Sequence, residues 1–241
     1  MLVIGASGAV GGALLELARS AGWNAVGVYR TNDARADVIR REWEGAPGTL
    51  RLYRADVTGE AAVQTLLREW GDDFCPDAIA HLAAPPIEAR AVQRTLWEDH
   101  LKQLDGTLKP VVLVTQPLVR RMLKRGSGRI VGVLSAVVQG VPPRGFASYT
   151  TAKYALAGYL RCLAAECAGR GVAVNAVSPG PMETGYLKNL PMLLTDQMRD
   201  AIPGSTWIDP RAVAGAIFWL ASDAGPAITG CNLPVSAGLS F

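Results

Sequence analysis

Apolar residues along this chain fall into short dense runs, separated by longer stretches in which they recur every three or four positions. The runs Leu2–Ile4, Ala25–Tyr29, Leu50–Arg54, Ala78–Leu82, Arg129–Leu134 and Val172–Val177 predict strands. Helices are expected over 13–18, 60–70, most of 88–124, 149 to about 168, and 210–220. Strand and helix in alternation predict an α/β domain with a parallel sheet. Pro110 and Pro117 fall inside the longest helical stretch. Each removes a backbone donor and crowds the preceding turn, so a kink or a late helix start is expected. No linker, repeat or low-complexity tract divides the chain, and residues 1–241 read as one domain. Between 185 and 207 the pattern breaks into a segment with Leu187, Leu190, Met192, Leu193, Leu194 and Met198. At the end of a parallel strand such a segment suits a lid over an apolar or acyl-bearing ligand, and it equally suits ordinary packing.

With 241 residues, 49% of them hydrophobic, the chain can bury one sizeable core. A net charge of +3 is too small and too scattered to argue for nucleic acid. Cys75, Cys162, Cys167 and Cys231 show no metal-ligand spacing, and His81 and His100 stand alone. No metal site is expected, and the thiols read as reduced, as in the cytoplasm. His81 reads as a core histidine. The N-terminus has no basic flank before an apolar stretch and no run is long enough for a membrane span, so neither a signal peptide nor a transmembrane helix is expected. Arg120, Arg121, Lys124 and Arg125 crowd a helix end before Gly126, where cations complement the helix dipole and glycine caps the turn.

The first chemical signal is the run Gly5-Ala6-Ser7-Gly8-Ala9-Val10-Gly11-Gly12, which joins the first strand to the first helix. Strand, glycine turn and helix form a dinucleotide-binding arrangement. Glycine lets the backbone approach a pyrophosphate, and the helix N-terminus offers it unpaired N–H groups and partial positive charge. Gly5, Ser7, Gly8, Val10 and Gly11 are therefore candidate cofactor contacts. The second strand ends in Arg30-Thr31, where an acid would accept from the ribose hydroxyls of NAD. Arg30 and Thr31 can instead pair with a 2′-phosphate, which favours NADP over NAD; the plainer reading is a solvated arginine at a loop start.

The second signal is Ser135 at a strand end, with Tyr149 and Lys153 fourteen and eighteen residues further on. Four apart on a helix, Tyr149 and Lys153 share a face. A free phenol has a pKa of about 10, and a nearby ammonium lowers it toward the range of a general acid or base. The serine hydroxyl could hold a carbonyl oxygen. A tyrosine and a lysine at this spacing are also a common surface pair.

Strand, serine, the loop Gly140-Val141-Pro142-Pro143-Arg144-Gly145, Tyr-x-x-x-Lys and a long Ala/Leu helix, in that order, resemble the short-chain dehydrogenase/reductase family nearly from end to end. The pattern is most similar to the 3-oxoacyl-(acyl-carrier-protein) reductases. The resemblance implies a Rossmann-type three-layer α/β sandwich with about seven parallel strands. Residues 228–230 with 233–238 match the family's closing strand. It implies NADPH-dependent reduction of a ketone, with Ser135, Tyr149 and Lys153 catalytic and Lys153 also on the nicotinamide ribose. Further cofactor contacts would be Asp56 and Val57 at the adenine, Ala83 and Ala84 at a ribose, and Pro179, Gly180, Met182 and Thr184 at the nicotinamide. Asp56, with Thr58, also suits the cap of the helix over 60–70. The family's fourth catalytic residue, an Asn that holds a water, falls on Thr107 here. Two helices of such proteins pack across a two-fold axis, which implies a homodimer or homotetramer. Arg120, Arg121, Lys124 and Arg125, with Arg129 and Arg170, would offer a docking patch to an acidic acyl carrier protein.

Two alternatives follow from departures. Gly5, Gly8 and Gly11, with His81-Leu82-Ala83-Ala84, are similar to the extended members, which include nucleotide-sugar epimerases and dehydratases. Those carry a further substrate region of about a hundred residues that this chain lacks. Thr107 and the C-terminal Ser236-Ala237-Gly238, in place of Asp-Gly-Gly, suit a dinucleotide-binding regulatory subunit without turnover.

Overall fold

The protein is described over residues 1–240 from a computed structural model. One sheet of seven parallel strands organises it: β1 (Leu2–Ile4), β2 (Ala25–Tyr29), β3 (Leu50–Arg54), β4 (Ala78–His81), β5 (Gly128–Val133), β6 (Val172–Pro179) and β7 (Asn232–Val235). Their order across the sheet is β3-β2-β1-β4-β5-β6-β7. The chain therefore reverses its direction of growth between β1 and β4, and a ligand crevice belongs at the carboxyl ends of those strands.

The described residues form eight helices: α1 (Ala9–Ser20), α2 (Asp33–Glu42), α3 (Glu60–Trp70), α4 (Trp97–Thr107), α5 (Lys109–Arg125), α6 (Ala147–Cys167), α7 (Met192–Asp200) and α8 (Pro210–Ala221). Strand side chains alternate between two faces. Leu2 and Ile4 point with Val26, Val28, Ile79 and Ile130 into a core closed by α3, α5 and α6. Val3, Ala78, Ala80 and Val131 point the other way, against α1, α2 and α8. Truncating one of the fully buried leucines, such as Leu14 or Leu118, to alanine would cost about 2–5 kcal/mol. A third cluster of Ile87, Val137, Phe146, Leu187, Leu190 and Met198 packs around Tyr149, beyond the strand ends.

The departures from expectation have local causes. The first helix begins at Ala9 rather than residue 13, because Gly8 already serves as its N-cap and Gly11 and Gly12 are buried helical residues. Helix α2 lacks a readable apolar stripe: only Ala36 and Ile39 are buried, and the Asn32 side chain caps it by accepting from Arg35 N. The stretch 88–124 is less helical than expected. It begins without regular structure, passes through a 3-10 turn at Val92–Arg94, and divides into α4 and α5 at Leu108. Pro110 lies in the first turn of α5, where its missing N–H costs nothing, while Pro117 sits inside the helix. Residues 228–230 precede the closing strand instead of joining it; Thr229 Oγ1 accepts from Val174 N at 3.1 Å.

The basic cluster does a structural job. Arg121 donates to the carbonyls of Gly71 and Phe74 at 2.9 and 2.8 Å, and Arg125 to those of Cys75, Pro76 and Ser127. Arg129 donates to Gly128 O at 2.9 Å. These groups tie the loops leading into β4, β5 and β6, at the end of the sheet opposite the carboxyl-end crevice. The expected docking patch is thus partly consumed by backbone carbonyls and lies away from that crevice. No helix among the described residues is long and apolar enough to cross a membrane.

Candidate active site

A cavity of about 660 Å³ runs across the carboxyl ends of the strands. Every site residue anticipated from the sequence lines it except Thr107. At its floor the glycine turn is sterically obligatory. Gly5 has φ +94°, and a Cβ there would stand 2.9 Å from Ala83 N; a Cβ on Gly11 would stand 2.2 Å from Gly5 O. No side chain caps the first turn of α1. Its N–H groups are thus left for an anion, and the cradle fits the pyrophosphate of a dinucleotide.

At one end lie Arg30, Thr31, Asp56 and Val57. Arg30 approaches Asp56 at 3.8 Å, with both side chains about half exposed. Asp56 Oδ1 accepts from Thr58 N at 3.0 Å and from Thr58 Oγ1 at 2.8 Å. Burial works against the Asp56 carboxylate, but the Thr58 hydrogen bonds and Arg30 hold its pKa below the ordinary value. Asp56 shapes this turn instead of capping α3, whose N-cap is Gly59 without a side-chain bond. The first acid after β2 in the sequence is Asp33. It accepts from Tyr29 Oη at 3.1 Å and pairs with Arg54 at 3.2 Å, so its carboxylate is already engaged.

At the other end Ser135 leaves β5 and opens a 3-10 turn, its Oγ accepting from Val137 N at 3.4 Å. Helix α6 starts two residues before Tyr149, which places Tyr149 and Lys153 on its buried face at 6% and 4% exposure. Lys153 Nζ donates to Val133 O at 2.8 Å and stands 5.7 Å from the centre of the Tyr149 ring. The expected lowering of the phenol pKa by the ammonium is not found. Burial pushes Tyr149 up to about 12, against pulls from the Ser135 and Tyr186 hydroxyls, and burial pushes Lys153 down to about 8. Desolvation wins because both groups are buried, and the ammonium gives its hydrogen bond to a backbone carbonyl.

Thr107 is the last residue of α4, fully buried, and its hydroxyl has no hydrogen-bond partner. Its neighbours in sequence, Gly106 and Pro110, reach the cavity wall, whereas Thr107 stands behind it. His81 shares a 2.8 Å hydrogen bond with Thr115 Oγ1, and burial lowers its pKa to about 3, which keeps it a neutral core residue. Asn175 fixes backbone, donating to Ile228 O at 2.7 Å and accepting from Cys231 N at 3.0 Å.

Sequence reading missed Tyr186. Its ring meets that of Tyr149 edge-on, with centres 6.2 Å apart, and it lines the cavity. The Tyr186 hydroxyl is buried close enough to Tyr149 to affect its titration, yet makes no hydrogen bond of good geometry. The available signal was a lone phenol two residues after Thr184, within an apolar segment.

Comparison with known proteins agrees with this geometry. The family profile described as Enoyl-(Acyl carrier protein) reductase matches residues 5–240. The chain is 32% identical over 240 residues to a 3-oxoacyl-(acyl-carrier-protein) reductase of Synechocystis sp., covering 99% of this chain and 95% of that one. It is 30% identical to an acetoacetyl-CoA reductase of Rhizobium meliloti, covering 100% and 98%. Among solved structures, a short-chain dehydrogenase/reductase of Serratia marcescens superposes with a TM-score of 0.89 at 26% identity, covering 100% and 97%. Levodione reductase shares the fold with a TM-score of 0.89 at 20% identity, covering 98% and 95%. With its glycine turn, its serine and its Tyr-x-x-x-Lys lining one crevice, this chain belongs to the short-chain dehydrogenase/reductase family of oxidoreductases.

Proposed function

We propose that the protein reduces a ketone to an alcohol with NADPH, and that the ketone is the 3-oxo group of an acyl thioester. The observation that carries this reading is the meeting of Ser135, Tyr149 and Lys153 in the same cavity as the glycine cradle. When bound, the nicotinamide supplies the hydride that the carbonyl carbon receives. Tyr149 then gives its hydroxyl proton to the carbonyl oxygen, and Ser135 donates a hydrogen bond to the same oxygen. Lys153, freed from Val133 O or shared with it, holds the nicotinamide ribose and offsets the charge left on Tyr149. The alcohol leaves with one hydride and one proton gained.

Arg30 beside Thr31 supports NADPH over NADH, since the first acid after β2, Asp33, is engaged by Tyr29 and Arg54. Asp56 and Val57 would border the adenine, Ala83 and Ala84 a ribose, and Pro179, Gly180, Met182 and Thr184 the nicotinamide. Residues 185–207 act as the substrate lid in this reading: Leu187 and Met198 line the cavity from that segment. The apolar cluster there suits an acyl chain, and the names of the relatives support a thioester carried by coenzyme A or a carrier protein. A homodimer or homotetramer is proposed, formed through α6, on whose outer face Tyr154 is 53% exposed.

The test is direct. Tryptophan fluorescence should report tighter binding of NADPH than of NADH, and NADPH should be oxidised with acetoacetyl thioesters or simple diketones. Tighter NADH binding, or binding without oxidation of either cofactor, would overturn the reading.

A further inference from the structure

We propose that Tyr186 is a substrate-binding residue that holds a second, uncharged oxygen of the substrate, two carbons from the carbonyl being reduced. The inference rests on the ketoreductase reading and assigns a residue of this chain to the second carbonyl of that substrate.

Three hydroxyls converge at this end of the cavity: those of Ser135, Tyr149 and Tyr186. A ketone oxygen has two lone pairs in its plane, and Ser135 and Tyr149 fill both. A third donor is surplus to that oxygen. Yet the Tyr186 hydroxyl is buried without a partner, a condition that native proteins rarely leave unanswered. Burial, followed by the neighbouring Tyr149, raises the Tyr186 pKa well above its ordinary value, which favours its O–H form. The Tyr149 and Tyr186 rings meet edge-on and their hydroxyls lie close enough to affect each other's titration, a closeness that suits two oxygens on alternate carbons.

The charge of the second oxygen follows from its surroundings. Ile87, Val137, Phe146, Leu187, Leu190 and Met198 pack about the Tyr149 ring and are all apolar. Of the charged residues lining the cavity, Arg30 and Asp56 sit at the far end, Glu183 is exposed, and Lys153 is bonded to Val133 O. A carboxylate placed here would lack a free cation in a desolvated site, which disfavours it strongly. A ketone or thioester carbonyl meets no such penalty.

The experiment compares ethyl acetoacetate with a straight-chain monoketone of equal length, in the wild type and in Tyr186→Phe. The wild type should oxidise NADPH with both, with a KM for the dicarbonyl about 5-fold or more below that for the monoketone. Tyr186→Phe should lower kcat/KM for the dicarbonyl about 5- to 10-fold more than for the monoketone, chiefly through KM. An equal loss on both substrates, with a shifted pH profile, would make Tyr186 a modulator of Tyr149 and overturn the inference. No loss on either, or equal wild-type KM values, would also overturn it. Wild-type enzyme that oxidises NADPH with neither ketone would instead defeat the ketoreductase reading itself. Should the variant fold poorly, the wild-type KM ratio still decides the question.

Discussion

Lys153 Nζ stands over the face of the Tyr149 ring, 5.7 Å from its centre, and spends its hydrogen bond on Val133 O. Burial outweighs any pull of the ammonium on the phenol here, and it pushes each group toward its uncharged form. A phenol held near 12 stays protonated at every working pH, which suits it to giving a proton to a ketone oxygen.

The pH dependence of reduction follows from the other member of the pair. Tyr149 remains an acid throughout, so the alkaline limb belongs to Lys153, whose pKa is about 8. Below that value Lys153 is charged and can hold the ribose; above it the charge is lost. The kcat/KM for ketone reduction should be flat near neutrality and fall about tenfold per pH unit above pH 8 or so. Steady-state rates across that range check it, and a profile flat through pH 10 or so would remove the charged lysine from its role.

Cofactor choice is predicted to depend on Arg30. Replacing it by alanine should weaken NADPH binding about 10- to 100-fold, the range of one or two hydrogen bonds to a charged group, and leave NADH binding nearly unchanged. Titration of both cofactors measures this. Equal changes for the two would show that Arg30 touches no phosphate.

How much of this was legible beforehand depended on how local each signal was. Strand runs such as Val172–Val177 and the Tyr149/Lys153 spacing carry their information within a few residues, and the structure places both as expected. Helix α2 was invisible because it rests on an Asn32 cap and two buried side chains instead of a stripe. The titration of Tyr149 was misjudged because spacing gives proximity and not direction: the lysine reaches the ring face, and burial then dominates. The structural role of Arg121 and Arg125 was not legible because their acceptors, the carbonyls of 71–76, lie roughly fifty residues away in sequence. Tyr186 went unnoticed for the same reason, its neighbour Tyr149 being distant along the chain.

Acid stability should depend on His81. Its folded pKa of about 3 lies below the ordinary 6.5, so between these values the unfolded chain binds the extra proton and stability rises with pH. Stability should therefore fall as pH drops from about 6.5 toward 3, by several kcal/mol in all. His81→Asn removes the titrating group, and thermal melts across that range should show a much shallower decline. An unchanged slope would place the acid sensitivity elsewhere.

Thr107 offers a different contrast. Its hydroxyl is buried without a partner, behind the cavity wall. Thr107→Val keeps the shape and removes that group, so stability should rise by about 1 kcal/mol, some 2–4 °C in Tm, with kcat within about 3-fold. A fall of about tenfold or more in kcat at unchanged stability would give Thr107 the water-holding role of the family's asparagine instead.

The most direct measurement follows the hydride itself. Wild type, Ser135→Ala and Tyr149→Phe are each incubated with an acetoacetyl thioester and NADPH deuterated at the transferring position, and the product is analysed by mass spectrometry. Wild-type protein should place one deuterium on the carbinol carbon. Its rate should fall about 10²-fold or more in either variant while NADPH binding persists. Product without deuterium, or a rate untouched by Tyr149→Phe, would contradict the account.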